Sequence, residues 1–376
     1  MKRARSEEWV WERLERVLPD IGITRVGNLT GLDTVGIPVW AVYRPGSRSM
    51  AVSLGKALTD TGAKISAVME SIETYCGERI AEPLLHGNVA DLGGRYPLMA
   101  LEGLPRVPGA MPLSYPIYWI QGRDVGNGGI PCWVPYEMVH TRYMPAARPY
   151  FPQFVATTRG LAAGSTRIEA VCHAVLELIE GDANAKAYEL PDEEWEARTL
   201  DLDTVDDPDC LGILERCRDA GLTMLALDST TPMGIASFLA VVLDRDDGWR
   251  VVPAARGMGC HPSRAVALQR ALLEAVQSRA ALISGAREDL TPKIYRDGQD
   301  PRMRDAVREL AKRGAHRWED VPTREWKTIE DDLHWVMDTL TLWRMPQVIV
   351  VDVDPDGFPF PVVRVIIPWL RAEVVA

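Results

Sequence analysis

The chain has 376 residues, 47% of them hydrophobic and 25% charged, with a net charge of −11. This is the composition of a globular protein with one large domain or two ordinary ones. The negative charge argues against a nonspecific nucleic-acid or anionic-membrane binder, and no apolar run approaches the ~20 residues that span a bilayer. In chain order, an amphipathic helix is predicted over residues 7–18, with Trp9, Val10, Leu14 and Val17 on one side. The first residues lack the apolar stretch of a secretory signal, so a soluble, cytoplasmic protein is expected. Residues 22–43 read as strand, turn, strand. Residues 53–59 read as the loop before a helix over 66–79. A strand is predicted near 96–101, another over 117–125, and one leading from 132–135. Residues 157–166 form a glycine-rich loop before a helix over 168–186. The acidic segment 191–209 reads as solvated. A helix over 211–220 precedes strands at 222–228 and 235–243, the second apolar enough to be central. Residues 257–262 read as a third loop, before a helix over 264–282. Residues 286–330 look like charged linker with a helix near 302–313. A helix over 331–344 and strands at 347–352 and 360–367 follow. The six cysteines contain no Cys-x-x-Cys pair, so free thiols are expected and a zinc site is not.

Three of these helices carry acids in an apolar, alanine-rich setting behind a small-residue loop. Glu70 and Glu73 are three residues apart, as are Glu177 and Glu180, so each pair leaves one helix face together. In the third helix Glu274 and Gln277 take the two positions, and Arg279 follows. Carboxylates turned inward are costly without compensation. Mg2+ is a natural compensation, because it prefers oxygen ligands and typically combines a few carboxylates with phosphates. Glycine-rich loops at helix starts offer N–H groups to phosphate, and Lys56, Arg25 and Arg279 could contact phosphate oxygens. The sum is a nucleotide site held through Mg2+, with no Gly-x-x-x-x-Gly-Lys-Ser/Thr loop and no Gly-x-Gly-x-x-Gly fingerprint. The competing reading is three amphipathic helices whose glutamates face solvent.

The ordered blocks carry a resemblance. They are Arg25-Val-Gly-Asn-Leu-Thr-Gly-Leu-Asp33, Gly36-Ile-Pro38, Gly55-Lys56, Ser66-x-x-x-Glu70-x-x-Glu73, Gly160-Leu-Ala-Ala-Gly164 and Glu177-Leu-Ile-Glu180-x-Asp182-Ala183. Gly259-Cys-His-Pro262, Ala271-Leu-Leu-Glu274-Ala-Val-Gln277-Ser-Arg279 and Ile283-Ser-Gly285-Ala-Arg287-Glu-Asp289 complete the set. From Arg25 to the carboxyl terminus the chain resembles the YcaO family of ATP-dependent enzymes that activate backbone amides. The last block looks most like the subgroup that works with a TfuA-type partner and is linked to thioamide formation. The resemblance implies an α/β (α+β) fold: a helix over residues 1–20, then one large catalytic domain over 21–376, with mixed sheets and three acidic helices lining the nucleotide site. It implies that Glu70, Glu73, Glu177 and Glu180 hold Mg2+, with Glu274 joining them or contacting nucleotide. Lys56, Ser66, Gln277 and Arg279 would contact ATP, and Arg25 is a further phosphate candidate. Glu70, Glu177 and Arg279 would serve the chemistry.

The implied reaction is phosphorylation of an amide oxygen of a ribosomally made peptide or protein. The expected product is a thioamide made with external sulfur. An azoline formed from a substrate Cys, Ser or Thr is the same-family alternative, and a catalytically silent peptide- or partner-binding subunit is the other. A peptide substrate, a TfuA-like partner and a homodimer are expected; nucleic acid and membrane are not. The chain departs from its relatives at Thr74 and Gly181, where Glu-Arg often follows the second glutamate, so Lys186 or Arg79 is a candidate for the missing cation. Ala57 replaces a common glycine, and the tail lacks Pro-x-Pro-x-Pro, which favours a non-azoline product. His173 and His261 read more readily as packed helix and turn residues than as catalysts. Cys76 and Cys260 read as structural thiols, the tryptophans as core or interface anchors, and Arg364 as a candidate to face the site.

Overall fold

The computed structural model describes residues 4–142, 151–246 and 252–371; the tail residues 372–376 lie outside these. Numbered in chain order, the strands fall into three sheets. The first is β1 (Arg25–Asn28), β2 (Val39–Tyr43) and β3 (Val52–Lys56). The second runs β4 (Leu85–Gly87), β5 (Ile117–Asp124), β11 (Ile349–Asp352), β12 (Val362–Ile366), β7 (Leu161–Ala163), with β6 (Ile130–Pro135) also on β5. The third is β10 (Ala255–Cys260), β9 (Ser237–Asp244) and β8 (Leu222–Asp228). Every pairing between these strands is antiparallel. The helices are α1 (Glu7–Val17), α2 (Asp60–Gly77), α3 (Val89–Leu92), α4 (Arg167–Ala187), α5 (Asp192–Arg198), α6 (Pro208–Asp219), α7 (Arg264–Ser284), α8 (Pro292–Gly298), α9 (Pro301–Arg313) and α10 (Ile329–Leu342).

The three acidic helices are α2, α4 and α7, and the loops expected before them are largely strands. β3 covers 53–56, β7 lies within 157–166, and β10 covers 257–260. The glycines that signalled turns mark close approach instead. A Cβ on Gly55 would stand 2.1 Å from the Ala67 nitrogen, and one on Gly257 would stand 2.1 Å from the Ala275 nitrogen. Helix backbone rests directly on strand backbone, which only glycine permits. The three strand–helix units also interlock. Helix α2 packs on β3 and on β7, α4 on β7 and on β10, and α7 on β10 and back on β3.

The apolar faces fix this arrangement. Ile65, Val68 and Ile72 of α2, Val175 and Ile179 of α4, and Leu268 and Leu272 of α7 are buried. Each such side chain contributes about 1.5–3 kcal/mol on burial. Exposed ion pairs such as Arg167–Asp352 contribute at most about 1 kcal/mol, so apolar packing sets the helix positions.

Other expectations hold or shift. Strand β9 is central and buried from Ser237 to Leu243, as its composition predicts. Residues 96–101 form no strand: only Leu98 bridges, to Trp133, and the adjacent Pro97 has no N–H to extend a ladder. The segment 191–209 is solvated only in part, because Leu200 and Val205 are buried in the core that β8 shares. Likewise 286–330 is anchored rather than linker-like, through α8, α9 and the buried Trp318 and Val321. Helix α1 packs on α2 with Val10, Leu14 and Val17 inward. Among the described residues, no helix is long and apolar enough to cross a membrane, and all six cysteines are free and buried.

Candidate active site

The interlocked helices direct five glutamates toward one another. Neighbouring strands and loops tether them. The Glu73 carboxylate accepts from the Ala163 N–H at 2.8 Å, so α2 reaches into the next unit at β7. Glu177 accepts from the Gly160 N–H at 3.0 Å. Glu274 accepts from the Met258 N–H at 3.4 Å and from Lys56 Nζ, on β3, at 3.1 Å. Glu180 pairs with Arg159 Nη1 at 3.4 Å. Exposure differs within the cluster: the Glu180 side chain is nearly buried, yet that of Glu274 keeps a third of its surface.

Crowding and burial set the charge state. Burial pushes Glu70 up to about 7, against the attraction of Arg287 and Lys56. Burial also raises Glu73, Glu177 and Glu180, and the like charge of neighbouring glutamates adds to the rise at Glu73 and Glu180. Glu274 goes the other way: burial works upward, but Lys56 outweighs it and holds the group low. A resident cation therefore outweighs burial at Glu274, whereas the other four glutamates, Glu180 with its Arg159 partner included, strain against ionisation.

This donor set fits Mg2+. Glu73 and Glu177 each have one oxygen tied to a backbone N–H, which orients the second. Among the described residues, no three His, Cys, Asp or Glu side chains converge closely enough to hold a metal alone. Spread carboxylate pairs suit an ion that takes its remaining ligands from water and phosphate.

The other expected residues divide. Ser66 sits half-buried on α2, one turn before Glu70. Gln277 is buried one turn beyond Glu274, and its Oε1 has no hydrogen-bond partner. Arg279 is engaged by two aspartates. Its Nε donates to Asp33 at 2.9 Å and its Nη2 to Asp244 at 2.8 Å. Arg25 lies on edge strand β1 with its guanidinium 5.4 Å from the Tyr43 ring. Lys186 and Arg79 are engaged elsewhere, with Asp182 at 2.5 Å and Glu78 at 3.0 Å.

Cations that sequence reasoning did not assign to the site, Arg159 and Arg270, act on the glutamates instead. Arg270 also lies 3.4 Å from His173 Nδ1, and burial, Arg270 and Lys56 together hold that imidazole down to about 3. Arg270 is four residues before Glu274, a spacing that was legible; Arg159 comes from a loop and offered no such signal. Arg364 donates to the Thr157 carbonyl at 2.6 Å and its charge reaches Glu177. His261 Nδ1 accepts from the Ser263 N–H at 3.0 Å, as a turn residue would. Burial raises the Cys260 and Cys76 thiols, as expected of structural ones.

A family model described as YcaO cyclodehydratase, ATP- and Mg2+-binding, matches residues 54–371. An uncharacterized protein in the tfuA 3′ region of Rhizobium leguminosarum bv. trifolii is 34% identical over 365 residues, 95% of this chain and 86% of that protein. An uncharacterized protein of Methanothermobacter thermautotrophicus is 33% identical over 372 residues, 93% of this chain and 90% of the other. Among solved structures, YcaO from Methanopyrus kandleri bound with AMPPCP and Mg2+ has a TM-score of 0.68 at 20% identity, covering 97% of this chain and 91% of that one. A heterocyclase in complex with substrate and cofactor has a TM-score of 0.81 at 18% identity over 98% of this chain; the match spans about half (53%) of that longer chain. The matched family model and the two relatives of near-equal extent place the chain in the YcaO family, whose cofactors are ATP and Mg2+.

Proposed function

We propose that this chain activates a backbone amide of a ribosomally made peptide or protein by ATP-dependent phosphorylation of the amide oxygen, and that the product is a thioamide. The observation that carries the reading is the convergence of five glutamates from three helices beside Lys56, Arg159 and Arg270. Bound Mg2+ supplies charge compensation for phosphoryl transfer. The protein's part is positioning. Glu70, Glu73, Glu177 and Glu180 offer oxygens to the metal. Lys56, Ser66 and Gln277 face the nucleotide, the Gln277 oxygen awaiting a donor. Arg279 acts at one remove, by holding α7 against Asp33 and Asp244.

External sulfide adds to the amide carbon, and the oxyanion so formed takes the γ-phosphoryl group of ATP. Expulsion of phosphate and loss of the sulfur-borne proton leave C=S. The relative in a tfuA 3′ region supports the thioamide and a TfuA-like partner. We place the reaction in the cytoplasm, carried out by a homodimer. The likeness to a solved heterocyclase favours a second reading, azoline formation, in which a substrate side chain replaces sulfide. Incubation with ATP, sulfide, a TfuA-like protein and a candidate precursor peptide, read by mass spectrometry, separates them. Exchange of one oxygen for sulfur supports the thioamide, and loss of one water supports the azoline. ATP consumption that never responds to peptide leaves only a silent, peptide-binding subunit.

A further inference from the structure

Strand β8 is an edge strand, and half of its outer edge is open. The chain's own Thr199 and Leu200 cover the far half: Thr199 bridges Leu227, and the Leu200 N–H donates to the Ala226 carbonyl at 2.8 Å. Toward its start the strand lacks such cover. The Gly221 carbonyl accepts from the Arg245 N–H, and the Ser229 N–H donates to the Ser237 carbonyl, both at 2.9 Å. Backbone groups alternate in direction along an antiparallel strand. The N–H and C=O of Leu222 and Met224 therefore point outward, as those of Ala226 do. Among the described residues, neither forms a hydrogen bond on that side. A groove of about 430 Å3 runs along this stretch, lined by Leu222, Thr223 and Met224 in succession. Side chains of a strand alternate between its faces, so a groove that touches three in a row follows the edge itself. Leu202 and Leu214 make its walls apolar. Among the described residues, four cations line it against two carboxylates, Asp203 and Asp246, in a chain of net charge −11. Two of the cations, Arg308 and Lys312, are paired with Asp305 and Glu309. The other two, exposed Arg218 and Arg245, form no ion pair among the described residues; Arg245 Nη2 donates only to the Arg218 carbonyl, at 2.7 Å. An uncovered edge of this kind is a template for another strand.

We propose that this groove docks the peptide substrate: an extended, mainly apolar segment, distinct from the amide that reacts, adds to β8 as the fourth strand of its sheet and offers an acidic side chain to Arg218 and Arg245. The assignment rests on the function proposed above. The size of the groove selects a linear segment. Three strand residues span about 10 Å, whereas a stable interface between folded proteins buries at least about 1,000 Å2. A second copy of this chain, edge to edge, would set Arg218 and Arg245 against their own copies. The register also fixes how far docking lies from chemistry. Met224 pairs with Val242, and Val242 with Ala255. Met258, whose N–H donates to Glu274, is thus two strands across and three residues along, about 14 Å away. At about 3.4 Å per residue, at least about four residues separate the docked segment from the reacting amide.

Amide exchange in the full chain, with and without saturating amounts of a precursor peptide that the parent modifies, tests this. The Leu222 and Met224 amides should slow by about tenfold or more with peptide. Those of Thr223 and Leu225, which face β9, should not. Joint Arg218→Glu and Arg245→Glu substitution changes only exposed side chains. It should raise the peptide KM by about tenfold, leave kcat within about twofold and leave Mg2+-nucleotide binding unchanged. Met224→Pro removes an outward N–H from an edge strand, where proline is tolerated. It should raise KM by about threefold to tenfold, the contribution of one hydrogen bond. Unchanged exchange at Leu222 and Met224, or a parent-like KM in the charge-reversed chain, overturns the docking site and leaves the amide chemistry standing. A fall in kcat as large as the rise in KM also overturns it, because the groove would then serve the reaction itself. Slowing of the same amides by a TfuA-like protein in the absence of peptide gives the edge to a partner and overturns the substrate assignment. If the parent modifies no peptide at all, the proposed function falls and the docking role falls with it.

Discussion

The charge state of Glu70 governs what the site can do before ligand arrives. Its folded value near 7 lies above the ordinary carboxylate value, so the folded chain retains a proton that the unfolded chain releases. By linkage, the stability tied to that proton is full below the unfolded value and is lost as pH rises through about 7. Glu70→Gln imitates the protonated state at every pH. It should melt like the parent at acid pH, melt higher than the parent at pH above about 7, and lose Mg2+-nucleotide binding. A Glu70→Gln protein that melts lower than the parent under alkaline conditions would falsify the assigned protonation. At Arg279 the expectation is structural. Removing one member of a buried ion pair typically costs about 3–5 kcal/mol, so Arg279→Met should lower the unfolding free energy by that order, read as a lower denaturant midpoint, because Asp33 and Asp244 lose their shared cation. An unchanged midpoint with weakened nucleotide binding would return Arg279 to the ATP contact suggested by sequence. The geometry explains the difference. At 3.6 residues per turn, Arg270 leaves α7 only about 40° from Glu274, whereas Arg279 leaves about 140° away. Position along a motif says which residues matter, and helix phase says where they point.

Among the elements, the strands beneath the acidic helices carry the arrangement. Gly257→Ala would drive a methyl group into the Ala275 backbone, an overpacking that typically costs about 1–3 kcal/mol or more. It should also weaken Mg2+-nucleotide binding, because α7 carries Glu274 and must move; chemical denaturation and calorimetry on one sample would show whether the two losses occur together. This is also where legibility ran out. The glutamate pairs were readable because spacing and apolar flanks are properties of a helix by itself. Strands β3, β7 and β10 were not, because a glycine read alone signals a turn as readily as a close approach. The partner that makes Gly55 or Gly257 obligatory lies more than ten residues further along the chain. Arg159 was hidden for a related reason: its arm rests against Gly181, in a helix that follows it. Conversely, Leu200, Val205 and Trp318 are apolar anchors inside polar segments, and average composition hid them.

At the scale of the molecule, the site couples ligand, protons and fold. Four glutamates whose protons are held too tightly must release them to serve Mg2+. Binding of Mg2+ and nucleotide together should therefore release protons, and most strongly below about pH 7. Calorimetry in two buffers of different ionisation enthalpy measures this; identical heats would contradict it. The same binding should raise stability by about 2.7 kcal/mol at a hundredfold excess over the dissociation constant, and chelation of the metal should abolish the gain. Each acidic helix rests on its own strand and on the strand of the next unit, so the three walls share their floors in a closed ring. A ring of this kind has no weakest wall to open first. Amides of α2, α4 and α7 should exchange with solvent as one cooperative block, and nucleotide should slow all three by a common factor. The outer strands β4, β5 and β6 lie outside that ring, so substitutions there should leave Mg2+-nucleotide binding unchanged.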